Sequence, residues 1–303
     1  MTRVAAIDCG TNSIRLLVAD LSAAGAADVV RRMEIVRLGE GVDRTGAFAP
    51  AAIERTRTVL ADYTAQLRGL GVERARMVAT SASRDVANRA DFVDMVRRTL
   101  GQDPEVITGD EEARLSFAGA TWSLSGVAPP YLVVDIGGGS TEFVLGERTV
   151  THAASVDIGC VRLTERHLHG DPPTAREVAA ATANARAGVA LAGESVPMTA
   201  AGTLVGLAGS VTTVAALALR LPAYDPARIQ HARIGYDRVA EVTEMLLRAT
   251  RGERAALPVM HPGRVDVIGA GALVLRTVME EVGAESVVAS EHDILDGIAD
   301  SLR

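Results

Sequence analysis

The sequence predicts an α/β protein built as two similar lobes around a cleft, and two observations carry that prediction. Short apolar runs of strand character alternate with segments of helical spacing along the chain. The opening strand-turn-strand also recurs near the middle. Aligning "AIDCGTNSIRLLVAD" with "VVDIGGGSTEFVLGE" places Asp8 on Asp135, Gly10 on Gly137, Ser13 on Ser140 and Leu16 on Phe143. A chain that contains its own opening twice reads as two lobes whose hairpin tips face each other.

The elements follow in order. "RVAAIDCG" and "SIRLLVADL" read as strands around a tight turn, with "VVRRMEIVRLGEG" a third. A helix is expected from Pro50 to Leu70, where Ile53, Val59, Leu60, Tyr63 and Leu67 recur at helical spacing. A strand "ARMVATSASR", a helix from Asp91 to Leu100, a strand "PEVITGD" and a helix opening at Glu111 complete the first half. The Ser-, Gly- and Pro-rich "WSLSGVAPPY" has the composition of a boundary, giving lobes over 1–125 and 126–303, with the terminal helix 293–303 able to pack back on the first lobe. In the second half, strands are expected from Thr149 to Val161, and Thr174 is an N-cap candidate for the helix after "DPPT". A strand-turn "TLVGLAGSVTTVAAL", helices from Asp237 and from Pro262, a strand "SVVAS" and a helix "ILDGIADSLR" finish the chain.

Composition narrows the function. At 303 residues and 48% hydrophobic content the chain can bury the cores of two domains. All of its basic residues are arginines, which excludes a Walker A lysine, a Schiff-base lysine and a lysine general base. A net charge of −7 argues against nucleic acid as a partner. The apolar stretches are too short or too charged to span a bilayer, and "MTRVAAIDCG" lacks the layout of a signal peptide, so a cytoplasmic protein with no membrane partner is expected. Cys9 and Cys160 form no CxxC pair and read as buried thiols.

The chemistry gathers at the turns. Gly137, Gly138 and Gly139, followed by Ser140 and Thr141, leave backbone N–H groups with no side chain in front of them, as a phosphate oxygen requires. The glycines lead into a strand, "EFVLGE", so the site is not of Rossmann type, which needs a helix there. The strand-end aspartates, Asp8 and Asp135, can hold a hydrated Mg²⁺. In "TGDEEARL", Glu111 and Glu112 are adjacent on a helix and point about 100° apart, so one is structural while the other can orient water. Arg84 could fork onto phosphate oxygens; the plainer alternative is a surface ion pair with Asp85. His167 and His169 read as surface residues, since no nearby carboxylate completes a metal set.

These residues resemble the exopolyphosphatase and guanosine pentaphosphate phosphohydrolase family (Ppx/GppA), within the superfamily of sugar kinases, Hsp70 and actin. "AIDCGTNSIRLL", "TSASRDVAN", "TGDEEARL", "VVDIGGGSTE" and "GLAGSVTTVAAL" occur in the family's order and cover most of the chain. The resemblance implies two ribonuclease H-like lobes and Mg²⁺-dependent removal of a terminal phosphate. It assigns the catalytic base to Glu112 and acidic positions near metal and water to Asp135 and Glu142, with Asp8 as their first-lobe counterpart. Thr11, Asn12, Ser13, Gly138, Gly139, Ser140 and Thr141 match its phosphate loops, and Arg84 matches a phosphate-contacting arginine. One departure is Leu295, in "SEHDILDGIA", where the family's arginine would fall. Inorganic polyphosphate is the expected substrate, and because longer members continue into a helical, HD-like domain where this chain stops, no preference for long polymers is implied and a short-chain specificity is compatible. The same loops would accept guanosine pentaphosphate (pppGpp). An ATP-dependent kinase and a catalytically silent polyphosphate or alarmone sensor are the rivals of other classes. A homodimer is expected from the family.

Overall fold

The structure is a computed structural model, and it describes residues 2–22, 25–84 and 86–303. The chain divides into two compact units, one formed by Met1–Gly119 together with Ile294–Arg303 and the other by Ala120–Asp293. Among the described residues no helix is long and apolar enough to cross a membrane.

In the first unit, β1 (Thr2–Cys9), β2 (Ser13–Ser22), β3 (Gly25–Ile35), β4 (Arg74–Ala79) and β5 (Glu105–Val106) form one sheet in the order β3-β2-β1-β4-β5. The two hairpin pairings are antiparallel, and β4 lies parallel to β1 and β5. β1 is almost wholly apolar because both its faces are covered, as expected of a central strand. Ala5, Ile7 and Cys9 join Leu60, Tyr63 and Phe92 of the helices Pro50–Gly69 and Arg89–Leu100. Val4 and Ala6, on the alternate face, meet Ile294, Leu295 and Ile298 of the C-terminal helix Ile294–Asp300. Leu295 therefore has a packing role where an arginine was the family expectation. Asp8 and Arg15 continue that second face by the period of two.

The second unit repeats the plan. β6 (Tyr131–Ile136), β7 (Thr141–Gly146), β8 (Val150–Val156), β9 (Thr203–Leu207), β10 (Arg233–Gly235) and β11 (Ser286–Ala289) are ordered β10-β11-β9-β6-β7-β8. The β6-β7 and β7-β8 pairs are antiparallel, and β9 lies parallel to β6 and β11. Leu132, Val134, Ile136, Phe143 and Leu145 face the core. Asp135 and Glu142 therefore project from the other face.

Two expectations need correction. Residues 160–161 do not extend a strand: Cys160–His167 is a helix. Residues 208–218 are a helix, Ala208–Ala218, rather than the continuation of a strand-turn. The Thr174 N-cap is present as a full capping box with Glu177, opening the helix Ala175–Gly193.

Candidate active site

The β6-β7 turn shows why three glycines stand together. The turn closes with the Gly137 N–H donating to the Ser140 carbonyl at 3.1 Å. The loop carbonyls all run to the start of the Cys160–His167 helix. Cys160 N–H donates to the Gly137 oxygen, Val161 and Arg162 N–H to that of Gly138, and Gly159 N–H to that of Gly139. Arg162 adds a side-chain bond from Nε to the Gly139 oxygen at 2.8 Å. These carbonyls satisfy a helix N-terminus that would otherwise hold orphan donors. In a trans peptide the N–H points opposite its carbonyl. The amides of Gly138, Gly139 and Ser140 are thereby turned to the other side, where an anion can meet them. Gly159 makes the approach feasible: a Cβ there would fall 2.3 Å from the Gly138 carbonyl atoms.

The β1-β2 turn reaches a similar end by different contacts. Gly10 N–H donates to the Ser13 carbonyl at 2.9 Å. Behind it, Val36 and Arg37 N–H donate to the Asn12 oxygen and Gly39 N–H to that of Thr11. Arg37 adopts the left-handed φ of 49°, which aims successive amides at one oxygen. The Thr11 side chain is buried against Gly39, while Asn12 and Ser13 are half-buried.

The acidic residues separate into distinct settings. Asp8 stands opposite Arg15 in the β1-β2 register, and Arg15 donates to its Oδ2 from Nε at 3.0 Å and Nη2 at 2.6 Å. Asp8, expected among metal ligands, is thus already balanced by a guanidinium. Asp135 stands opposite Glu142, a second carboxylate. Glu142 is 1% exposed, and its Oε1 accepts from Ser140 Oγ and Ser155 Oγ, each at 2.7 Å. Among the described residues no group of three or more His, Cys, Asp or Glu side chains could hold a metal ion. A pair of hard carboxylates still fits Mg²⁺, which is usually held by one or two carboxylates and completes its shell with water and phosphate oxygens.

Glu112 lies on the helix Gly109–Thr121, buried at 8% exposure, and Arg84 Nη1 donates to its Oε2 at 2.6 Å. The structure brings these two predicted residues together. Glu111 turns away and meets Arg76 at 2.6 Å, the divergence expected of neighbours on a helix. The alternative partner of Arg84, Asp85, lies outside the described residues. Thr141 is fully buried and donates to the Ile158 carbonyl, so its hydroxyl serves the fold of the turn. Both cysteines are buried, and burial pushes the Cys160 thiol up from its ordinary value.

A family model for Ppx/GppA phosphatases matches residues 17–302. The chain belongs to the Ppx/GppA phosphatase family. It is 54% identical over 315 residues to a Mycobacterium tuberculosis protein named Exopolyphosphatase 2, covering 100% of this chain and 99% of that one. An Aeromonas salmonicida guanosine-5'-triphosphate,3'-diphosphate pyrophosphatase is 28% identical, and the match spans 58% of its length. Among solved structures, an exopolyphosphatase-like protein superposes with a TM-score of 0.96 at 42% identity, over 99% of this chain and 98% of that one. The Aquifex aeolicus Ppx/GppA family member gives 0.80 at 30% identity, with the same coverage of both chains.

Several residues that pack against the candidate site lie outside the sequence expectations. Gly159 and Arg162 hold the loop from behind; the strand expected from Thr149 to Val161 takes in Gly159, and Arg162 lies just past its end. Ser155 is a third. A fourth is Arg264, whose guanidinium lies against Gly209, where an added Cβ would fall 2.2 Å from Cζ, and donates to Thr213 Oγ1 at 3.1 Å. It sets a cation at the start of the Ala208–Ala218 helix, an end that already favours anions. That helix leaves β9 beside the glycine loop, since Leu207 is the register partner of Asp135.

Proposed function

We propose that this chain is an exopolyphosphatase that hydrolyses the terminal phosphoanhydride of inorganic polyphosphate, with Mg²⁺ as cofactor and water as nucleophile. The observation that carries the reaction is the glycine loop whose carbonyls are drawn onto a helix start, turning its amides toward an incoming phosphate. The full-length relationship to a protein named Exopolyphosphatase 2 favours polyphosphate over pppGpp as the substrate.

In this reading Gly138, Gly139 and Ser140 bind the terminal phosphate in the second unit, and Asn12 and Ser13 offer the corresponding amides in the first. Asp135 and Glu142 hold the divalent cation, which when bound neutralises charge on the phosphates. Arg84 fixes Glu112 in the absence of substrate. Phosphate oxygens compete for that guanidinium and so release Glu112 Oε2 toward water. Glu112 then takes a proton from the water as the water oxygen bonds the terminal phosphorus, and the bridging P–O bond breaks with its electron pair leaving on the shortened chain. As part of the same proposal the enzyme works as a cytoplasmic homodimer, which sedimentation of the purified protein and cell fractionation check.

The test is phosphate release from polyphosphates of graded length, pppGpp and ATP, run in parallel with and without Mg²⁺. Release from polyphosphate is expected to be fastest and to need the metal. Faster release from pppGpp would replace the substrate, transfer from ATP to an acceptor would replace the reaction, and tight binding with no release would make the chain a sensor.

A further inference from the structure

Glu142 stands on β7 between two register partners, Asp135 on β6 and Ser155 on β8. Residues opposite one another on adjacent antiparallel strands project to one face with Cβ atoms about 4.5–5.5 Å apart. The three form a transverse row of carboxylate, carboxylate and hydroxyl. Both Ser140 and Ser155 donate to Glu142 Oε1 at 2.7 Å, but they are not equivalent donors. Ser140 belongs to the phosphate loop, and its hydroxyl can turn to a phosphate oxygen when one arrives. Ser155 is fixed by the strand ladder. It is also exposed, so water could satisfy its hydroxyl. Glu142, almost wholly withdrawn from solvent, is the partner that needs the bond.

We propose that Ser155 is a positioning residue: its hydroxyl holds Oε1 of Glu142 through the reaction cycle, keeping the carboxylate oriented beside Asp135 to receive a divalent cation. The proposal rests on the reading of Asp135 and Glu142 as cation ligands. Partners that orient ligating carboxylates are as much a part of a metal site as the ligands themselves.

Titration of Mn²⁺ into the metal-free full chain, followed by the electron paramagnetic resonance of the free ion, reads the effect without turnover. Ser155→Ala is expected to weaken Mn²⁺ binding roughly tenfold to a hundredfold, the cost typical of a lost outer partner. Ser155→Thr keeps the hydroxyl and is expected to restore most of the affinity. Asp135→Asn serves as the reference and is expected to lose binding. If Ser155→Ala binds like the parent while Asp135→Asn does not, the positioning role is overturned and the ligand assignment stands. If Asp135→Asn also binds like the parent, the ligand assignment itself falls. Failure of Ser155→Thr to restore binding overturns the proposal as well, since the hydroxyl is then not what matters. Thermal melting of each variant reports whether the fold is intact; Ser155→Ala is expected to keep one cooperative transition at a somewhat lower temperature, since Ser140 still donates to the buried Glu142 oxygen.

Discussion

The β1-β2 and β6-β7 hairpins share a register, a closing bond from Gly N–H to Ser carbonyl, and a tightly approaching glycine behind the tip, Gly39 in one and Gly159 in the other. They differ at the residue opposite the strand-end aspartate, which is Arg15 beside Asp8 and Glu142 beside Asp135. The first pair is electrically balanced within itself. The second places two carboxylates side by side, a pair of the kind a hydrated divalent cation takes. The repeated backbone can offer amides twice, whereas the facing pair of carboxylates proposed to take the cation belongs to the second hairpin. The catalytic carboxylate proposed here, Glu112, belongs to the unit whose hairpin is balanced.

The comparison is sharpened most by that carboxylate. Glu112→Gln is expected to lower turnover roughly a hundredfold to ten-thousandfold, as loss of a positioned base does. Glu111→Gln, which takes only the negative charge from the pair with Arg76, is expected to turn over like the parent and lose about 1 kcal/mol or less of stability. Steady-state phosphate release and thermal melts check both, and equal losses in the two variants would remove the distinction.

The aspartates come next. Asp8→Asn strips Arg15 of its charged acceptor and is expected to cost about 1.5–3 kcal/mol of stability while leaving the Mg²⁺ activation curve in place. Asp135→Asn removes one of the two facing carboxylates, so Mg²⁺ activation is expected to be lost. The reverse pattern in melts and activation curves would break the contrast between the hairpins.

The two glycines offer a smaller contrast. Gly159→Ala drives a Cβ to 2.3 Å from backbone atoms of Gly138, which cannot move without moving the loop, and about 1–3 kcal/mol of overpacking is expected together with a raised KM. Gly39→Ala meets side-chain atoms of Thr11 and Ala82 rather than backbone, so its effect on denaturant midpoint and KM should be milder. The smallest difference is one of pH. All six histidines lie in the second unit. Burial first, and His292 second, hold the His231 imidazole below its ordinary 6.5. The unfolded chain therefore binds that proton more readily, so this contribution is complete above pH 6.5 and lost as pH falls through the folded value. Melting across about pH 5–8 should fall on the acid side, and His231→Asn should flatten it.

What the sequence determined by itself is local. The periodicity of Ile53, Leu60 and Leu67 and the proline at its start define the helix Pro50–Gly69. Thr174 with Glu177 specifies a capping box, and adjacency on a helix separates Glu111 from Glu112. The repeated Asp-x-Gly turn specifies two similar hairpins. Only the tertiary structure decided which way the glycine amides face, because the groups that turn their carbonyls lie some twenty residues further along, at 159–162. The same holds for the meeting of Arg84 with Glu112 and of Ser155 with Glu142, and for the helix Cys160–His167, whose apolar sequence also suits a strand. Hydrogen bonds between neighbours follow from spacing along the chain; those between distant segments exist only once the sheets have set those segments side by side.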